Sequence, residues 1–242
     1  MSKVLRRSGN AVVNYLDVLG WKPKQVVMVG VGGHHDEVDV MRDAWGRDFE
    51  LYGIEAHPLI YKDLRNTFPG IIQHAAAVGP HFIDRHVDLF AKSNWKDGST
   101  THQPRGPDAA AWEIYHVPPL ILDDWAHPLF NEREVLLWLD CEGSELEALR
   151  GGKRFLRDHV AVVNVELTGK PRMSGWPRAH QVHSWLISQG FHQAWIHSIR
   201  PSIAQFDSIY LRGDIYNPAL SCCMDAALTW ALDAPTAVLS QP

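Results

Sequence analysis

Between Gln25 and Val31 the chain reads Gln-Val-Val-Met-Val-Gly-Val, a short run that is apolar on both faces and rich in β-branched residues. Such a run fits a central parallel strand, covered above and below, and a parallel neighbour can be reached only through a crossover. The sequence supplies those crossovers. After the glycines comes a helical pattern with Val38, Met41 and Trp45 on one face. A second strand, Phe49 to Glu55, leads into a helix from Pro58 whose buried face is read as Leu59, Leu64 and Phe68. Ile71 to Val78 gives a third strand. This alternation predicts an α/β fold with a mainly parallel sheet and right-handed connections.

Before the first strand, Val12, Val13, Tyr15, Leu16 and Leu19 recur at helical spacing, with Gly20 as the stop. From Gly79 to Pro118 the rhythm is lost. That segment is read as a long loop insertion over 79–118, a lid or substrate loop, given its Trp95, Trp112 and Tyr115. Regular structure resumes with a buried strand at Val135–Asp140, a helix from Ser144 to Leu156 and a strand from His159 to Leu167. Pro177 to Gly190 is amphipathic, and His192–His197 with Phe206–Leu211 read as a closing hairpin. The expectation is one domain over 1–242 with about seven strands, the last two antiparallel, and helices on both faces. It divides into an N-terminal helix within 1–24, a Rossmann-like core over 25–213 and a tail over 214–242.

Composition narrows the partners. A net charge of −5 with scattered basic residues gives no reason to expect nucleic acid or an anionic membrane. No stretch approaches the roughly 20 apolar residues of a spanning helix, and the N-terminus lacks the apolar core of a secretory signal. The three cysteines, two of them adjacent at Cys222 and Cys223, form no disulfide or zinc pattern. A cytoplasmic protein with reduced thiols and a small-molecule partner is expected. Nothing in the sequence bears on oligomeric state.

In an open parallel sheet, ligands sit outside the carboxyl ends of the strands. After the first strand stands Gly30-Val31-Gly32-Gly33-His34-His35. Glycines let a ligand approach the backbone, and the next helix offers free N–H groups. The dinucleotide fingerprint would need glycine at 30, 32 and 35, and His35 breaks it. NAD is disfavoured. Glu55 ends the second strand 23 positions after Gly32, well placed to accept from the ribose hydroxyls of an adenosine ligand. The strand ending at Leu139 runs into Asp140, Glu142 and Glu145, a charged cluster that packing does not require. Glu145 falls in the first helical turn, where a carboxylate is at home; Asp140 and Glu142 are read as functional.

The stretch LDCEGSELEALRGG resembles the hallmark of the FkbM methyltransferases, through Asp140, Glu142, Gly143, Glu145, Leu146, Leu149 and Gly151. VVMVGVGGH is similar to the family's glycine motif, although Met28 stands where an acid is usual and His34 replaces a glycine. GIEAHPLIYKDL resembles its ribose turn, with Ala56 for a more frequent proline. IIQHAAAVG, HVPPLILDDW with its Leu122-Asp123 pair, and VVNVELTG with Glu166 continue the likeness in order. The resemblance implies a class I methyltransferase fold, S-adenosylmethionine as cofactor and methyl transfer to a hydroxyl of a sugar or small natural product. It implies that Gly30, Val31, Gly32, Glu55, Ala56, Ala76 and Asp140 meet the cofactor. The proton acceptor is then sought among Asp140, Glu142, His34 and His35. Asp140, Glu142 and Glu166 could gather oxygen ligands, but no diagnostic spacing supports a metal and none is expected. Two rivals remain: an inactive adenosine-binding module of the same fold, and another nucleotide-dependent Rossmann enzyme such as an oxidoreductase.

Overall fold

The structure is a computed structural model that describes residues 8–32, 35–92, 95–104, 109, 111–130, 134–170, 173–200 and 204–216. Its centre is a seven-stranded sheet. In chain order the strands are β1 (Gln25–Val29), β2 (Glu50–Glu55), β3 (Ile71–His74), β9 (Val135–Leu139), β10 (Val160–Thr168), β11 (Phe191–Arg200) and β12 (Gln205–Arg212). In space the order is β11-β12-β10-β9-β1-β2-β3. The first five run parallel, and β12 is antiparallel to both β10 and β11.

Strand alternation sends side chains to two cores. On one face Val26, Met28, Leu136, Trp138 and Val162 pack against helices α1 (Ser8–Val18) and α2 (His35–Trp45), through Val12, Leu16, Val38 and Met41. Leu64 of α3 (Pro58–Leu64) joins this core, whereas Leu59 is 43% exposed, contrary to the sequence expectation. On the other face Val27, Val29, Leu137, Leu139 and Val163 meet α4 (Leu122–Trp125), α5 (Glu145–Gly151), α6 (Lys153–Asp158) and α7 (Ala179–Ser188). None of the described helices is long and apolar enough to cross a membrane.

Three sequence expectations change. The third strand stops at His74: the Ala75 N–H makes the last bond to β2, at the Glu55 carbonyl, and the Ala76 N–H turns to the Pro118 carbonyl. Its continuation, β4 (Ala76–Ala77), pairs instead with β8 (Pro119–Leu120). The helix expected from Ser144 to Leu156 breaks at Gly151–Gly152, where a Cβ on Gly151 would stand 2.1 Å from the Val78 carbonyl oxygen. The 79–118 segment is no loop. It carries an antiparallel sheet of β5 (Val87–Lys92), β6 (Trp95–Thr100) and β7 (Trp112–Val117). Val87, Leu89 and Val117 supply its buried side, too few apolar residues to stand out among the glycines and prolines around them. Cys222, Cys223 and most of the tail, 217–242, lie outside the described residues.

Candidate active site

From β1 the chain runs outward through β2 and β3, then returns to β9 on the other side of β1. In an open parallel sheet such a reversal is where ligands bind, outside the carboxyl ends of the strands, here β1 and β9. Gly30 leaves β1 with φ +80° and Gly32 follows at +55°, both in the left-handed region that side chains disfavour. At Gly30 there is a second demand: a Cβ would stand 1.8 Å from the Asp140 carbonyl oxygen. The turn after β1 and the turn after β9 therefore lie against each other, with room only for hydrogen.

Glu55, 5% exposed at the end of β2, is tied to the same turn. Its Oε2 accepts the Gly32 N–H at 2.8 Å and its Oε1 the His57 N–H at 2.6 Å. His57 in turn caps α3, with Nδ1 accepting from Leu59 and Ile60. The turn after β1 thus touches both Glu55, through the Gly32 N–H, and the backbone of Asp140, through Gly30.

Other members of the sequence-derived set sit elsewhere. The Val31 side chain is 1% exposed and belongs to the core, so only its backbone can face a ligand at this turn. Ala76 is buried in the small core of Val78, Val87, Leu89 and Val117, and Ala56 packs on its rim, its carbonyl accepting from His74 Nε2. Met28 is wholly buried beneath the turn. His34 lies outside the described residues, and the His35 side chain is likewise not described.

Beside the turn, one row of polar residues crosses the sheet: Gly30, Asp140, Glu166, Asp207, His197. The registers set its order, with Val29 beside Leu139, Leu139 beside Val165, Glu166 beside Asp207 and Asp207 beside His197. Carboxylate oxygens of Asp140, Glu142 and Glu166 lie within 4.8 Å of one another. Like charges so close in a partly dry site cannot all persist. Burial first, then repulsion from Asp140, Glu142, Asp207 and Glu145, pushes Glu166 well above the carboxylate range, and it keeps its proton at neutral pH. Burial pushes His197 down to about 4, so its imidazole is neutral, with Nε2 2.9 Å from Asn164 Oδ1.

The turn after β9 is fastened from outside. Glu142 and Gly143 both have positive φ, 47° and 98°. Thr100 Oγ1 donates to the Glu142 carbonyl at 2.8 Å and His102 Nε2 to the Gly143 carbonyl at 2.9 Å, while Thr101 meets Ser144. Trp176 Nε1 donates to Thr100 Oγ1 and fills the space that a Cβ on Gly143 would need. The end of β6 is therefore docked on the acidic turn, which gives the 79–118 insertion a place in the site.

Glu145 keeps the structural role read from its position. Its Oε1 accepts the N–H groups of Gly143 and Cys141, closing the turn from beneath. Burial outweighs those bonds and lifts its carboxyl to about 7. A carboxyl raised on folding stabilises the fold fully below its unfolded value and loses that contribution as pH climbs to the folded one. The window for Glu145 runs from 4.5 to about 7. Glu145→Gln keeps an acceptor for both N–H groups and removes the titration. The stability of the wild type relative to this variant is expected to fall by roughly 3 kcal/mol across that window. Denaturant midpoints measured at several pH values read it; a flat difference would mean a carboxyl ionised throughout.

Sequence alone does not single out Asp207 and His197, and it marks Glu166 only within the VVNVELTG likeness and as a possible oxygen ligand. A signal existed: Asn164 and Glu166 interrupt β10 at alternate positions, on the face of Val162. What sequence lacks is the neighbour. Only the antiparallel return of β12 sets Asp207 beside Glu166.

A seven-stranded sheet in this order, parallel except for β12, is the Rossmann-like fold of class I methyltransferases. The Methyltransferase FkbM domain matches residues 29–192. The chain belongs to the FkbM methyltransferase family. Among solved structures it is similar to an FkbM methyltransferase from Methylobacillus flagellatus KT (13% identity, TM-score 0.47), covering 78% of this chain but only 43% of that one. A putative O-methyltransferase from Klebsiella pneumoniae matches at 10% identity and TM-score 0.49, over 86% of this chain and 80% of that one. Fibrillarin from Aeropyrum pernix, solved with S-adenosylmethionine, matches at 10% identity and TM-score 0.45, over 83% and 74% respectively. No curated protein matches the chain.

Proposed function

We propose that the chain methylates a hydroxyl oxygen of a small-molecule acceptor, a sugar or natural product, at the carboxyl ends of β1 and β9. The observation that carries this reading is the contact of Gly30 with Asp140, which joins the glycine turn to the row of acids. The residues suit an adenosyl cofactor: a turn of two left-handed glycines after β1, and beside it a buried carboxylate.

S-adenosylmethionine, when bound, supplies an electrophilic methyl on sulfur. A hydroxyl oxygen that takes that methyl must give up its proton, and Asp140, next to the glycine turn, is the carboxylate we assign to receive it. Glu166, protonated, can donate to the acceptor and hold it in line. Neutral His197, bonded to Asn164, sets the far end of the row. Much of the rate enhancement comes from placing the reacting atoms about 3–3.5 Å apart.

Titration with S-adenosylmethionine, then an assay for S-adenosylhomocysteine release against hydroxylated acceptors, tests the reading. Binding without turnover across a broad acceptor panel would favour the inactive module; preference for a nicotinamide dinucleotide would favour the oxidoreductase. Glu55→Ala is expected to weaken cofactor binding by about 1–3 kcal/mol, the size of lost charge-assisted bonds. Glu55→Gln keeps one acceptor oxygen and should fall between. Calorimetric affinities for the three proteins decide it, and equal affinity in a folded Ala variant removes Glu55 from the site.

A further inference from the structure

On the small sheet of the 79–118 insertion, far from the acids just described in sequence, three metal-ligating side chains converge. Asp88 of β5 and His116 of β7 are direct cross-strand partners, and His86 precedes Asp88 by two residues on the same side. His116 Nδ1 lies 2.8 Å and His86 Nε2 3.7 Å from the same carboxylate oxygen, Asp88 Oδ1. The two imidazole centroids are 4.5 Å apart, and the three ligand atoms all fall within 4.8 Å of one another.

We propose that His86, Asp88 and His116 form a binding site for a borderline divalent cation of the Zn2+ type. Two imidazoles and one carboxylate are the donor set such ions favour, with a fourth position left to water. Bonds of about 2.0–2.1 Å in tetrahedral geometry put ligand atoms about 3.3 Å apart. The observed spacings bracket that value, and all three side chains are about half exposed or more, free to make the adjustment. A single hydrogen bond between His116 and Asp88 would satisfy that pair alone. It gives no reason for a second imidazole on the same oxygen.

The backbone beneath is fixed. Val87, Leu89 and Val117 anchor the opposite side of the sheet in the small core, so Asp88 and His116 stand on paired strands and His86 on the residue that leads into β5. Bound metal would tie the entry of β5 to β7. Tyr115, adjacent to His116, lies with its ring 5.1 Å from that of His57, directly behind the Glu55 turn. The clamp would therefore stiffen the strand that backs the proposed ribose turn.

The test uses the untagged, chelator-treated full chain, titrated with Zn2+ by calorimetry and with Co2+ by visible absorption. One equivalent is expected to bind, with a tetrahedral Co2+ spectrum and a raised melting temperature. His86→Ala and His116→Gln, on different segments, should each lower affinity at least about tenfold, since even outer partners of metal ligands are worth 10–100-fold. His192→Ala, a control elsewhere on the surface, should leave it unchanged. Binding that survives both His86→Ala and His116→Gln, or no binding by the wild type at ~100 µM metal, a concentration well above that of a tight protein site, overturns the proposal. Neither result bears on methyl transfer, which is read separately by S-adenosylhomocysteine release.

Discussion

Asp140→Asn is expected to lower methyl transfer by roughly 10²–10⁴-fold, the usual worth of a positioned proton acceptor, while the protein becomes no less stable. The two effects separate for an electrostatic reason. Asp140 is among the charges that push up both Glu166 and Glu145, so neutralising it relieves repulsion inside the cluster. Its backbone contacts, the N–H to Val29 and the carbonyl against Gly30, do not depend on the side chain. Stability should therefore hold or rise as turnover collapses, and cofactor affinity should move by less than about tenfold, or 1.4 kcal/mol. Single-turnover rates with a productive acceptor, alongside a thermal scan, give both readings. A fully active Asn variant excludes Asp140 as the base and turns attention to Glu142.

Gly30→Ala should be the most damaging single methyl in the described core. Two costs combine: a left-handed dihedral, worth about 1–2 kcal/mol for a residue with a Cβ, and an overpacked contact, worth about 1–3 kcal/mol. Gly46 separates them, because it has the same φ of +80° with nothing within 4 Å of an added Cβ. Gly46→Ala is thus expected to show the dihedral cost alone. Gly30→Ala should melt lower still, by several degrees for a chain of this size. It should also lose measurable affinity for S-adenosylmethionine, since relieving the clash must part the glycine turn from the Asp140 turn. Equal melting temperatures and an unchanged affinity would show that the two turns do not act as a unit.

The parts of the site visible in sequence were those marked by chain punctuation. Gly30, Gly32, Glu55 and Asp140 each follow an apolar run at once, and a strand end in a parallel sheet is where a polar residue meets a ligand. Asp207, His197 and the fastening by Thr100 and His102 carried no such mark. Asp207 lies 67 positions from Asp140, and the bonds from Thr100 to Glu142 and from Trp176 to Thr100 span 42 and 76 positions. The small sheet of the insertion escaped for a related reason: its strands bury few apolar residues, and prolines and glycines surround them.

Local chemistry, then, is what the residues settled unaided: where the chain must be extended, where it must turn with glycine, and which carboxylates end strands. Those follow from steric and solvation preferences acting over a few neighbours. Which carboxylates share a field belongs to the assembled sheet alone, because hydrogen-bonded register brings distant strands side by side. Only there does Glu166 lie close enough to Asp140 and Asp207 to hold its proton, and repulsion at that range is what divides the acids into different chemical states.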